Sequence, residues 1–72
     1  MKDSAGNTYR EVEMEAEHVR LTYVAQGWND TPSVRFQIRD EDGHLRQGPE
    51  IPLKIMGSVV GALLDLVTEQ TI

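Results

Sequence analysis

Apolar and acidic residues alternate with period two near the start of the chain. Four glutamates alternate with Val12, Met14 and Ala16. This spacing predicts a strand over Glu11–Glu17, with one face in solvent. A helix through Val12, Ala16 and Val19 is the alternative, because Glu and Ala both favour helices.

The alternation changes phase at His18. From there Val19, Leu21 and Tyr23 share one side of the next predicted strand. No Gly or Pro separates the two registers, so a β-bulge or a short bend is expected between them. A loop rich in turn-forming residues follows at positions 26–32.

Two further extended segments follow this loop. Residues 34–39 alternate strictly between apolar and polar side chains and form the clearest strand in the sequence. Asp40–Gly43 ends in Asp-Gly, which favours a hairpin turn. Residues 44–53 predict a fourth strand, which Pro49 and Pro52 restrict to a sheet edge or to irregular structure.

The last third of the chain predicts a helix over Lys54–Thr68. Its apolar side chains cover about 200° at 100° per residue, whereas a helix lying on one sheet needs only about 100°. The excess predicts a second apolar partner, and in so short a chain the expected partner is another copy. The expected dimer interface consists of Val59, Val60, Leu63, Leu64 and Val67.

The length allows one domain. With 72 residues and no cysteine, the chain has no disulfide or thiolate metal site to compensate for a small core. Small chains of this kind often gain burial by oligomerising. We expect a flexible tail over residues 1–8 and a single α+β domain over residues 9–72, in the order β-β-β-β-α. The start contains no apolar run, so neither a signal peptide nor a membrane anchor is expected, and a cytoplasmic location follows as the default.

The net charge of −5 argues at first against nucleic acid, because phosphate binding depends on Lys and Arg. The charge is not evenly spread, however. Residues 1–17 and 49–72 hold the excess acids, whereas residues 18–48 are neutral, with four arginines and four acids. Charge must therefore be considered one face at a time.

One predicted sheet face is rich in hydrogen-bond donors. Arg35, Gln37 and Arg39 point to the same side of their strand, and Arg20 lies on the expected neighbour. Guanidinium groups in such a row could follow a phosphate backbone, and an exposed Trp28 ring would offer a base a surface for stacking.

Both features also have a structural interpretation. The arginines could pair with Glu13, Glu15 or Glu17 across the sheet and contribute only to strand stability. The single tryptophan, Trp28, could cover one end of a small core.

Signals for catalysis and for metal binding are weak. The chain has no cysteine nucleophile and no glycine-rich phosphate loop, so we expect no enzyme activity and no cofactor. Asp40 and Asp42 faintly resemble a calcium loop, but Ile51 occupies the position of the closing glutamate. We therefore predict no metal site.

Four short motifs resemble the transcriptional coactivator family of positive cofactor four, which includes small bacterial and phage relatives. They lie within His18–Val67 and comprise Gly27-Trp28-Asn29-Asp30, Val34-Arg35-Phe36-Gln37-Ile38-Arg39, Gly48-Pro49-Glu50-Ile51-Pro52-Leu53 and the apolar helix Val59–Val67.

The resemblance implies a curved four-stranded antiparallel sheet followed by one helix. It also implies a homodimer joined through the helices, with single-stranded DNA on the exposed sheet faces. Arg20, Arg35, Arg39 and Trp28 fall where the family places its contacts, and Arg46 and Lys54 could extend the track. Members of the family usually carry several lysines on this sheet, whereas this chain has none there.

Together these observations predict a non-enzymatic module that binds single-stranded nucleic acid, with DNA favoured over RNA, in transcription or in DNA replication and recombination. The alternative is a protein-interaction or regulatory adaptor on the same fold. The expected partners are a second copy, a single strand and, for the adaptor, another protein, but not a membrane.

Overall fold

The first four strands pair consecutively, the fifth returns to pair with the third, and one C-terminal helix follows, in a computed structural model that describes residues 1–71. Side-chain exposure is described for residues 1–70, and Ile72, the end of the expected domain, lies outside the described residues. The elements are β1 Tyr9–Met14, β2 Glu17–Val24, β3 Ser33–Arg39, β4 Leu45–Arg46, β5 Glu50–Pro52 and α1 Met56–Thr71. The predicted antiparallel α+β architecture is confirmed.

The fourth strand is interrupted, as its prolines predict. β4 pairs with the end of β3 and β5 pairs with its start, in an edge that is broken between them. The Phe36 amide still donates a hydrogen bond to the Pro49 carbonyl at 2.9 Å. At Gly48 the backbone passes so close to β3 that a Cβ atom would collide with the Phe36 carbonyl oxygen.

The chain reverses direction between β1 and β2, where a bulge or bend was expected. β1 ends at Met14, which pairs with Glu17 across a two-residue turn. Glu15, the first turn residue, has φ 52°, in the positive region that both favoured hairpin turns require at that position. The strand predicted over Glu11–Glu17 is therefore confirmed from Glu11 to Met14, whereas its continuation to Glu17 and the helical alternative are wrong. The turn escaped prediction because Glu15 occupies a position where Gly or Asn is usual.

The pairing of β2 with β3 sorts side chains by face. Directly opposed residues on antiparallel strands point to the same side of the sheet. The apolar face comprises Val12, Val19, Leu21, Tyr23, Val34, Phe36, Ile38 and Ile51. The arginine face comprises Tyr9, Glu11, Glu13, His18, Arg20, Thr22, Arg35, Gln37, Arg39 and Glu50.

The helix prediction is confirmed with shifted ends. A short 3-10 turn over Leu53–Ile55 precedes α1, which begins at Met56 and continues to Thr71. This turn contacts α1 more extensively than any strand does. The first half of the helix and the apolar face border a groove of ≈480 Å³.

A single chain has no closed hydrophobic core. Among residues 1–70 no hydrophobic side chain is buried, and only Thr22 and Ser33 are. Apolar side chains in the second half of α1 are widely exposed, with Leu64 exposed over 63% of its surface. The apolar face and one side of the helix therefore lack cover within the described chain.

The segment expected to be a flexible tail forms a small turn. Lys2 and Thr8 make an isolated antiparallel bridge, and the Asp3 carboxylate accepts hydrogen bonds from the amides of Ala5 and Asn7. The mobility of residues 1–8 stays a prediction. Within the described part of the chain, no helix has the length and apolar character needed to cross a bilayer.

Candidate functional site

The structure brings four of the predicted contact residues together on the arginine face. Arg20 on β2 lies directly opposite Gln37 on β3, and Arg35 and Arg39 lie two residues to either side of Gln37. Residues two apart on a strand are separated by about 7 Å, and neighbouring strands by about 4.8 Å. The three guanidinium groups thus occupy one compact area of the sheet.

Glu11 lies among these cations. Its Oε2 atom is 3.1 Å from Arg20 Nε, and its Oε1 atom is 3.3 Å from Arg39 Nε. The Nδ1 atom of His18 lies 3.4 Å from Glu11 Oε1. The side chains of Arg20 and Glu11 are only 11% and 15% exposed, so solvent screens this pair less than it screens a surface ion pair.

The second ion pair of the face joins β3 to the interrupted edge. The register places Glu50 directly opposite Arg35, and Arg35 Nε donates to Glu50 Oε2 at 2.8 Å. Pairing of the arginines with acids was one of the two sequence interpretations, but it named Glu13, Glu15 and Glu17. The tight turn after Met14 brings Glu11 opposite Arg20 instead.

An aromatic ring supports Arg20. The guanidinium carbon of Arg20 lies 3.8 Å from the centroid of the Tyr9 ring, which is cation–π geometry. Tyr9 lies opposite Thr22 in the β1–β2 register and therefore belongs to the same face. Only the β1–β2 register brings Tyr9 next to Arg20. That register cannot be derived from the sequence unless the turn at Glu15 and Ala16 is located first.

Trp28 is displayed by a constrained loop next to Ser33. Its amide donates to Ser33 Oγ at 3.0 Å, two residues before Arg35 on the same strand. A Cβ atom at Gly27 would lie 2.6 Å from the Ser33 Cβ atom, so only glycine fits there. Trp28 is 55% exposed, and in a single chain it does not close over a core.

Arg46 and Lys54 do not join this cluster. The register sets Arg46 opposite Ile38, on the apolar side of the sheet, and its Nε lies 3.5 Å from Asp40 Oδ2. Lys54 belongs to the 3-10 turn and lines a groove with Thr31. Arg46 therefore faces away from the row, and Lys54 lies after the last strand of the sheet.

The acidic hairpin holds the one group of three or more possible metal ligands found in the described chain. Ligand atoms of Asp40, Asp42 and His44 lie within 4.8 Å of one another. Asp40 Oδ1 already accepts the amides of Asp42 and His44 at 3.0 and 2.9 Å. The His44 amide is the main reason that the Asp40 pKa is low, so this carboxylate mainly stabilises the turn.

The pKa of Glu11 reflects its position between cations. Burial by itself raises the pKa of this carboxyl, but the hydrogen bonds and charges of Arg39 and Arg20 outweigh burial and hold it below 4.5. Glu11 is thus ionised at neutral pH. With Glu13 and Glu50 on the same side, three carboxylates balance the three guanidiniums of the arginine face.

Comparison of the chain with protein-family models, with curated proteins and with solved structures finds no match. The assignment of a function therefore depends on the geometry of the face and on the motif resemblance.

We expect Glu11→Gln to lower the thermal unfolding midpoint at neutral pH by about 4 °C, because the charged hydrogen bonds are lost. A lowered carboxyl pKa adds stability that is present above about 4.5 and is lost as pH falls through the folded-state value. The gap between wild type and variant should therefore close below pH 4.5. Melting curves from pH 2 to 7 at one protein concentration measure it.

Asp3 and Asp40 also have lowered pKa values, so the unfolding midpoints of wild type and of Glu11→Gln should both fall in acid. The difference between the two curves isolates Glu11. Parallel curves over the whole range would contradict a folded-state interaction of the Glu11 carboxylate.

Proposed function

We propose that this chain is a non-enzymatic, cytoplasmic module that binds single-stranded nucleic acid, preferably DNA, on the arginine face. The observation that carries the proposal is the grouping of Arg20, Arg35 and Arg39 around Gln37. Trp28 is exposed, and its amide donates to Ser33, two residues before Arg35 on the same strand. Its resemblance to the positive cofactor four family supports the same function and indicates a role in transcription or in DNA replication and recombination.

The ion pairs leave donors for phosphate. A guanidinium has five N–H groups, and the described hydrogen bonds of Arg20 and Arg35 use only Nε. Their Nη groups are therefore further hydrogen-bond donors that a phosphate oxygen can accept from. A ring such as Trp28 can stack on any base, which suits binding without strong sequence preference.

The charge balance predicts modest affinity. The arginine face is neutral as a whole, and the chain carries −5. Binding then depends on local placement of the guanidiniums rather than on a broad positive field, and it should weaken sharply with added salt.

The module acts as a homodimer in this proposal. A folded monomer of 8.1 kDa exposes about 4,500 Å², whereas this chain exposes 5457 Å². The excess is close to the ~800 Å² per partner that a standard interface buries. The helical residues proposed to supply the interface are Val59, Val60, Leu63, Leu64 and Val67.

A protein-interaction adaptor is the second candidate function. It is favoured by the pairing of Arg20, Arg35 and Arg39 with Glu11 and Glu50, which leaves the face without net charge. In that case the arginines stabilise the sheet, and the exposed apolar helix binds another protein.

Replacement of both Arg35 and Arg39 by Ala should weaken binding of a fluorescein-labelled oligo-dT by at least about tenfold at low salt. It should also reduce the slope of log affinity against log salt concentration by about 1.4. The reason is the loss of two phosphate contacts. Fluorescence anisotropy over a salt series gives both values, and circular dichroism checks the fold.

Arg46→Ala is the matched control, because it removes one positive charge from the other side of the sheet. It should weaken binding less than either Arg35→Ala or Arg39→Ala alone. Wild-type affinity that is undetectable at low salt or insensitive to salt would favour the adaptor, as would unfolding of the double variant.

Sedimentation equilibrium at micromolar concentration should give twice the 8.1 kDa chain mass. Leu64→Glu should shift the protein toward monomer, because a charge would then lie in an apolar interface. Ser58→Glu adds the same charge on the polar side of α1 and should leave the dimer intact. A clean wild-type monomer would refute the dimer.

A further inference from the structure

The Glu11 carboxylate occupies a well-formed anion site. Arg20 from β2 and Arg39 from β3 approach it through Nε at 3.1 and 3.3 Å, and Arg39 Nη2 adds a contact at 3.4 Å. The ring of His18 approaches from the same strand as Arg20. A phosphate group offers the same anionic oxygens and accepts the same guanidinium geometry.

We infer that Glu11 is a built-in competitor for the nucleic-acid phosphate, which displaces this carboxylate when a single strand binds between Arg20 and Arg39. This inference rests on the proposed function and specifies how the same face is regulated. Its consequence is that this anion site stays closed until a strand supplies a better-placed anion.

The site would persist after Glu11 leaves, because each arginine has a second anchor. Arg20 stacks over the Tyr9 ring at 3.8 Å. Arg39 donates through Nη1 to the Gly43 carbonyl at 3.0 Å. Two guanidiniums held in this way remain preorganised for an incoming phosphate, which lowers the cost of ordering them.

The position of Glu11 in the sheet also allows a phosphate to displace it. Glu11 belongs to β1, an edge strand that pairs only with β2, so its side chain reaches the cations from the rim of the face. The Glu11 carboxylate and the two arginines belong to one chain, so the carboxylate competes with phosphate at a high effective concentration. Competition of this kind reduces affinity without changing which ligand binds.

The charges of these three side chains determine how much Glu11→Gln should change the salt dependence of binding. Arg20, Arg39 and Glu11 together carry +1, and removal of the carboxylate charge leaves +2. In wild type, a displaced Glu11 takes up a cation while the phosphate releases one. The variant lacks that compensation, so its salt slope should be steeper by about 0.7, the value for one charge on a single strand.

The test compares Glu11→Gln with Glu13→Gln by anisotropy with labelled oligo-dT over a salt series. Both variants lose one negative charge from the same face of β1, but Glu13 lies opposite His18 and makes no ion pair in the described structure. We expect Glu11→Gln to bind at least about fivefold more tightly than wild type, with the steeper slope, and Glu13→Gln to gain less than about twofold.

Equal gains by the two variants would overturn the inference, since general charge would explain them, and the proposed function would stand. No binding by wild type or by either variant at low salt would overturn both. Binding by Glu11→Gln alone would support the competitor and show that the wild-type site is closed.

If Glu11→Gln does not fold, a measurement on the wild-type protein tests the same inference. The side-chain carboxyl carbon-13 resonance of Glu11 should move toward the position of a solvent-exposed glutamate as oligo-dT is added. A resonance that stays in place while the strand binds would overturn the inference.

Discussion

The register between β2 and β3 is the constraint on which the other features depend. It sets Val19 against Ile38 and Leu21 against Phe36, so apolar side chains collect on one side and guanidiniums on the other. A slip of one residue would exchange the two faces. An apolar surface without cover on one side and a group of arginines on the other both follow from this pairing.

The two faces place opposite demands on a small chain. The apolar face and α1 enclose a groove rather than a core, so hydrophobic burial within one chain is incomplete. A second copy would supply the missing burial without occupying the arginine face. The proposed dimerisation and strand binding are thus compatible, because they would use opposite sides of one sheet.

Periodicity and the two prolines of the fourth strand predicted most of the fold. Alternation located β3, the prolines placed the fourth strand at a broken edge, and the apolar arc located α1. The turn at Glu15 was missed because neither Gly nor Asn marks it, and the contacts of Glu11 and Tyr9 were lost with it. The sequence therefore identified the arginines but not the Glu11 and Tyr9 side chains that contact them. Cross-strand contacts depend on the strand register, and one misplaced turn changes that register.

The central claim is that a single strand binds the arginine face and not the opposite side. Arginine side-chain N–H resonances, followed as unlabelled oligo-dT is added, test it most directly. The account predicts saturable shifts at Arg20, Arg35 and Arg39, while Arg10 and Arg46, on the other side of the sheet, stay in place. Shifts confined to Arg10 and Arg46, or no shift at any arginine, would contradict it.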